Sequence, residues 1–430
     1  MSGVARPATA HIRLAGEHFA AAALYLVAGS IGLVWIAPEL AAGNYLSPHV
    51  AGVTHLFTLG WLTTTIFGAL YQLLPVALGA PTRWPGVAHA SFWTFAPGAG
   101  LFACGVATSS TMLHHTGIAL VGVGIPLAVT NIAVTLPNAR SRDVTWAAIV
   151  LALTFLASTL ALGVVLLHNI HTGFIAAARL RVLATHLHVA LVGWALMMIV
   201  GVSHRLLPMF LLAHGANTRW TRRAVILLAS GLVLLVTGLD AALAIAAWSG
   251  AIALELGLAC FIYQAILFHR VRARKRVEVG LRFAGAALAF LAAAGAMGPF
   301  VLWRGPSAGH LAVTYVLTGL LGGIVLYVIG FFYKIVPLLA WIAHFRGKAS
   351  VPGTPAVADL FSLPVARVQF GAMISAMVFL AAGTLAGSTR AVYAGAVLFL
   401  VGVGLFVSQI VRIALGGSMR IRQIRVGAEA

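Results

Sequence analysis

The residues best suited to chemistry in this chain are its histidines. His49, His55, His114, His115, His168, His171, His186, His188 and His310 fall near one set of ends of long apolar segments. An imidazole among lipid tails needs a partner for its nitrogens, because an unpaired polar group there costs kilocalories. Neutral imidazole nitrogen is a suitable ligand for haem iron and for copper. His55 and His188 occupy the same place in two matching segments, which makes them candidate opposite axial ligands of a b-type haem. His49 lies six residues before His55 and projects in another direction, toward a second centre or the surface. His186 and His188 project about 200° apart on a helix, so each can serve a different cofactor. His168 and His171, three apart, share a face. They suit a copper or non-haem iron ion assisted by His114 or His115, or alternatively a hydrogen-bonded cluster beside lipid head groups. His204 and Arg205, in the opposite half of the sixth segment, suit a propionate, a quinone head group or an Asp, or simply snorkel to the interface.

The elements that must position these groups are membrane helices. Of the 430 residues 61% are hydrophobic and only 8% charged, with a mean hydropathy of +1.02. A soluble domain carries roughly 25% charged residues, so lipid is the solvent around most of this surface. Apolar runs of about 20 residues match the roughly 30 Å hydrocarbon core, and none shows the alternation of a membrane strand. The pattern predicts twelve spans, at 17–37, 49–78, 88–109, 112–136, 145–170, 183–213, 223–247, 250–270, 281–303, 307–340, 365–388 and 391–415.

The net charge of +19 sits between spans and on one side, as in Arg140, Arg142, Arg219, Arg222, Arg223, Arg270, Arg272, Arg274, Lys275 and Arg276. The other side holds only Arg179, Arg181, Arg304 and Arg390. This bias puts both termini in the cytoplasm of a bacterial inner membrane, excludes nucleic acid as the reason for the charge, and predicts attraction of anionic lipids. Cys104 and Cys260 both lie in apolar segments, so no disulfide framework or thiolate metal site is indicated. Asp240 and Glu255 are expected to flank the turn between the seventh and eighth spans, within reach of Arg179 or Arg304 or of a metal site that takes up protons. No acidic chain links the cytoplasm to the histidines, and redox-driven proton pumping is not indicated.

Three spans share a longer text. Span 2 reads THLFTLGWLTTTIFGALYQLLP and span 6 reads THLHVALVGWALMMIVGVSHRLLP, and Gly60, Gly193 and Gly322 each precede Pro75, Pro208 and Pro337 by fifteen residues. Matching spans separated by four helices predict three parallel four-helix repeats in a single membrane domain, approximately 17–136, 145–270 and 281–415.

These segments resemble the membrane core of haem-copper oxidase subunit I, and more closely the NnrS family of twelve-span haem- and copper-containing bacterial proteins associated with nitric oxide stress. The resemblance implies an all-α polytopic fold of oxidase subunit I type, one or two b haems with copper or non-haem iron, and a role in nitric oxide tolerance or respiratory electron transfer. In the oxidases, helices 2 and 10 supply haem ligands and helices 6 and 7 hold the second metal. Here span 10 offers only His310, Val225–Ala247 has no histidine, and an HPEVY-like copper motif is absent. A rearranged site centred on spans 2, 5 and 6 is therefore expected. A transporter or metal permease, a true nitric oxide or oxygen reductase, and a structural or assembly role in an oxidase complex are the alternatives. Expected partners are a quinol or cytochrome electron donor and a second copy of the chain.

Overall fold

The computed structural model describes residues 6–213, 215, 217–273, 276–347, 351 and 353–429. Arg274, Lys275 and His214 lie outside the described residues, as do the side chains of His171 and of the last turns of the C-terminal helix. The described chain is helical throughout, without a strand. Among the described residues, eleven helical segments are long and apolar enough to cross a membrane. The first eight are Ile12–Trp35, Pro48–Ala77, Pro85–Ala107, Thr111–Asn138, Val144–Ile170, Ala176–Leu211, Arg219–Asp240 and Ala244–Arg270. The ninth segment, Val279–Phe345, has 67 residues, about 100 Å of helix, more than three times the thickness of a hydrocarbon core. It is interrupted by a 3-10 turn at Gly305–Ala308, and the two rods on either side pack along each other. They count as spans 9 and 10 (279–304 and 309–345), and Leu363–Leu385 and Thr389–Leu415 as spans 11 and 12. The chain is a multi-pass membrane protein.

One expected boundary moves. Span 7 ends at Asp240 and span 8 begins at Ala244, so the turn lies about six residues before the break expected between 247 and 250. Alanines dominate both flanks and give no periodicity to fix the turn; the chain reverses because Ala242 enters the left-handed region. Asp240 stays at the turn, where it accepts a hydrogen bond from Thr185 at 3.0 Å. Glu255 is instead eleven residues inside span 8, about 16 Å along its axis and near mid-depth in the bilayer.

Local backbone devices recur at fixed offsets. Spans 2, 6 and 10 each contain an eight-residue π-helical stretch, Leu56–Thr63, Val189–Leu196 and Thr318–Val325, with Gly60, Gly193 and Gly322 as the fifth residue of each. Each of these glycines faces an aromatic ring of the preceding long helix. A Cβ would lie 2.5 Å from Tyr25, 2.7 Å from Phe155 and 2.9 Å from Phe290 respectively. Widened turns of this kind are rare and are often found at functional sites.

Spans 3 and 4, 7 and 8, and 11 and 12 form tight hairpins closed by one motif. Ser110, Leu243 and Ser388 each donate a backbone N–H to the carbonyl of Gly105, Gly238 and Gly383, at 2.9, 2.8 and 2.8 Å. The residue before each donor, Ser109, Ala242 or Gly387, has φ of 53°, 55° or 66°. This is the 6→1 bonded helix end that satisfies otherwise orphaned carbonyls.

Polar contacts also tie the bundle across spans. Trp194 donates its indole N–H to Thr63 at 3.0 Å, and Ser203 shares a 2.6 Å hydrogen bond with Tyr327. At the opposite end from the histidine pairs, Arg205 pairs with Asp143 and also donates to Ser141, and Lys334 pairs with Glu278.

Candidate cofactor and ligand clefts

Two clefts open beside the π-helical stretches, and each carries facing polar side chains in a mostly apolar wall. The first lies between spans 2 and 6 with walls from spans 3, 4 and 5, and includes about 640 Å³ of space between side chains and at its open edge. His55, Phe102, Thr159, Gly163, His186 and Trp194 line it among leucines and isoleucines. The second lies between spans 6 and 10 with walls from spans 7, 8 and 9, and includes about 650 Å³. Its polar lining is His188, Tyr315 and Glu255, set among Leu187, Leu191, Leu228, Leu254, Leu258 and Leu291.

The positions of the pairs follow from the π stretches. His55 and His188 each immediately precede one, while His186 and Tyr315 each stand three residues before one. The structure therefore brings His55 opposite His186, with ring centroids 6.4 Å apart and planes inclined by 36°. His188 lies opposite Tyr315 instead, its Nε2 3.3 Å from the phenol oxygen and the rings 6.1 Å apart. His55 and His188 share a register but face successive clefts, not each other. The same two registers in the remaining combination hold Val53 and Leu317, both buried. At that seam Phe57, Trp61, Phe332, Phe399 and Phe406 fill the interior, with centroid separations of 5.0–6.0 Å among neighbouring rings.

The ring nitrogens are set up for different tasks. Nδ1 of His55 is bonded to the Ala51 carbonyl at 2.7 Å, and Nδ1 of His188 to the Ala184 carbonyl at 2.8 Å. A carbonyl accepts only from N–H, so in both rings the proton is on Nδ1 and the lone pair on Nε2. Such second bonds fix tautomer and ring direction in metal-ligating histidines. In His188 that lone pair already meets the Tyr315 hydroxyl. His186 has a buried Nδ1 with no hydrogen-bond partner, and its ring edge rests over Gly163, where a Cβ would come within 3.3 Å of Cε1. Phe102 backs the His55 ring edge-on at 5.1 Å.

The other histidines are dispersed. His49 bonds to Glu39 at 2.8 Å through Nδ1 and packs on Trp35 at 4.4 Å, with His49 and Glu39 both half-buried and away from the two clefts. His114 is buried and His115 exposed, with rings 4.6 Å apart. His168 is exposed and packs on Phe174 at 5.3 Å. Its expected companion His171 has its side chain outside the described residues. Arg205 takes the Asp option through Asp143, whose carboxylate also caps the start of span 5 by accepting from the N–H groups of Thr145 and Trp146. The neighbouring His204 keeps a buried Nδ1 without a partner.

Sequence reasoning passed over Tyr315 and Gly163 and misplaced Glu255. A signal for Tyr315 was present: counting back seven residues from Gly193 and from Gly322 lands on His186 and on Tyr315. No family model matches the chain, and a search of curated proteins finds no match.

Proposed function

We propose that the chain is a haem-binding protein of a bacterial inner membrane, in which the imidazoles of His55 and His186 would hold a b-type haem. The observation that carries this is the spacing of the two imidazoles. Their ring centroids stand 6.4 Å apart on the wall of one cleft, close enough for both to reach a single bound group. An imidazole nitrogen left without a partner in His186 and the lone pair on Nε2 of His55 supply the donor chemistry. Bound there, haem would supply a redox-active iron whose potential is tuned by the apolar wall. The chain's own part is to fix the His55 tautomer through Ala51, to keep water out with Phe102 and Trp194, and to leave room for His186 over Gly163.

The wider reading is a twelve-span fold of three parallel four-helix units, resembling the oxidase subunit I and NnrS proteins, with cytoplasmic termini and a role in nitric oxide tolerance or respiratory electron transfer. Its support is the recurrence of the π stretches, the glycine–aromatic contacts and the hairpin turns at matching offsets, together with the positive-charge bias. The test is an optical spectrum of the purified protein with extraction of its pigment. Low-spin haem is expected, lost or converted in His55→Ala and in His186→Ala and retained in His188→Ala. A colourless protein after expression with adequate haem would reject the reading and favour a permease, and an unchanged spectrum in His186→Ala would reject the ligand pair.

A further inference from the structure

The second cleft differs from the first in a way that points to a different occupant. At the register of His186 it has Tyr315, whose hydroxyl meets the His188 lone pair, so two nitrogen donors no longer face each other. It also has an acid. The Glu255 carboxylate projects from span 8 onto span 9, where a Cβ on Gly295 would lie 2.5 Å from Oε2 and one on Gly298 would lie 3.5 Å from Oε1. The same point over Gly298 is 3.8 Å from the Tyr315 ring, so acid and phenol border one space. An ionisable group near mid-bilayer is costly and marks a site by default.

Access comes from the membrane. Leu187, Leu254 and Glu255 are half-buried, and Ile252 and Leu256 beside them face outward at 57% and 53% exposure. A ligand that arrives this way must dissolve in hydrocarbon, yet it must offer O–H groups to a carboxylate and to an imidazole already served by a phenol. A free metal ion meets neither condition.

We infer that the His188–Tyr315–Glu255 cleft binds a lipid-soluble hydroquinone, with one ring hydroxyl donating to the Glu255 carboxylate and another replacing Tyr315 at Nε2 of His188. Service as an electron donor rests on the haem reading above, whereas binding does not. The test is photolabelling of the full-length purified protein with a short-chain azidoquinone, followed by peptide mapping. Label is expected on spans 8, 9 or 10 around 254–258, 291–295 or 315–319, and it is displaced by unlabelled quinol. Loss of one ligand hydrogen bond predicts about tenfold weaker labelling in Glu255→Gln and in His188→Phe, whereas Tyr315→Phe removes only the hydroxyl that the ligand displaces and is expected to label at least as well as the parent. Leu254→Trp fills the cleft without touching a polar group and is expected to reduce labelling similarly, with the folded state of each variant followed by thermal unfolding. Label elsewhere in the chain, label indifferent to Leu254→Trp, or protection by metal cations but not by quinol would overturn the assignment. A colourless protein that is labelled as expected would reject the haem reading alone.

Discussion

Gly163 gives the sharpest check on the first cleft, because it alters the space and leaves both imidazoles in place. A Cβ there would stand 3.3 Å from Cε1 of His186 and 3.9 Å from Nδ1. Ordinary carbon contacts begin near 3.5 Å, so Gly163→Ala asks His186 to yield about 0.2–0.4 Å, which the two-ring spacing tolerates. Haem content in Gly163→Ala is expected to stay within about twofold of the parent. Gly163→Leu instead sends two further methyl groups into the region between the rings. Overpacking against a bound group costs about 1–3 kcal/mol, equivalent to roughly 5- to 150-fold weaker retention of haem. The haem-free bundle has space for the same side chain, and its thermal unfolding temperature should hold or rise as the space fills. Retention is read by extracted haem per protein after washing with apomyoglobin, and stability by thermal unfolding of haem-depleted protein in detergent. Full haem retention with an unshifted spectrum in Gly163→Leu would refute the placement between His55 and His186. A parallel fall in haem-free stability would show that Gly163 serves helix packing.

Other expectations concern the scaffold. Gly238→Val should lower the unfolding temperature sharply, since the first added carbon would sit 2.2 Å from the Ala247 backbone nitrogen and the two helices cannot both keep their places. Thr63→Val removes the acceptor of the buried Trp194 indole and should cost about 1–3 kcal/mol in equilibrium unfolding, with Thr63→Ser largely restoring it. Asp143→Ala should destabilise more than Arg205→Ala in the same assay, because Asp143 both answers Arg205 and caps span 5. The cap alone is worth about 1 kcal/mol, and equal losses would refute that division.

Most span positions were legible in the sequence because twenty-residue apolar runs leave little choice of structure. The histidines' common height was legible too, since 1.5 Å per residue converts position into depth. Their pairing was not. Shared register suggested that His55 faces His188, but span 6 turns His186 to the cleft beside span 2 and His188 to the cleft beside span 10, so the two like-placed histidines line different clefts. The π stretches add to the difficulty, because they break the 3.6-residue phase on which any count of helix faces depends. Glu255 was misplaced for a simpler reason: between Thr237 and Glu255 alanine prevails, and nothing in its hydropathy tells a turn from a helix.

The 6→1 bonded turns between paired spans also constrain how the chain enters the bilayer. With only a few residues between one rod and the next at Ser109, Ala242 and Gly387, the two rods of a pair cannot part sideways and each rod meets its partner as soon as both are made. Such a pair is suited to cross as a hairpin whose tip leads. Epitope tags or protease sites placed at those tips would block biogenesis, whereas the connection between the eighth and ninth rods has the length to accept them.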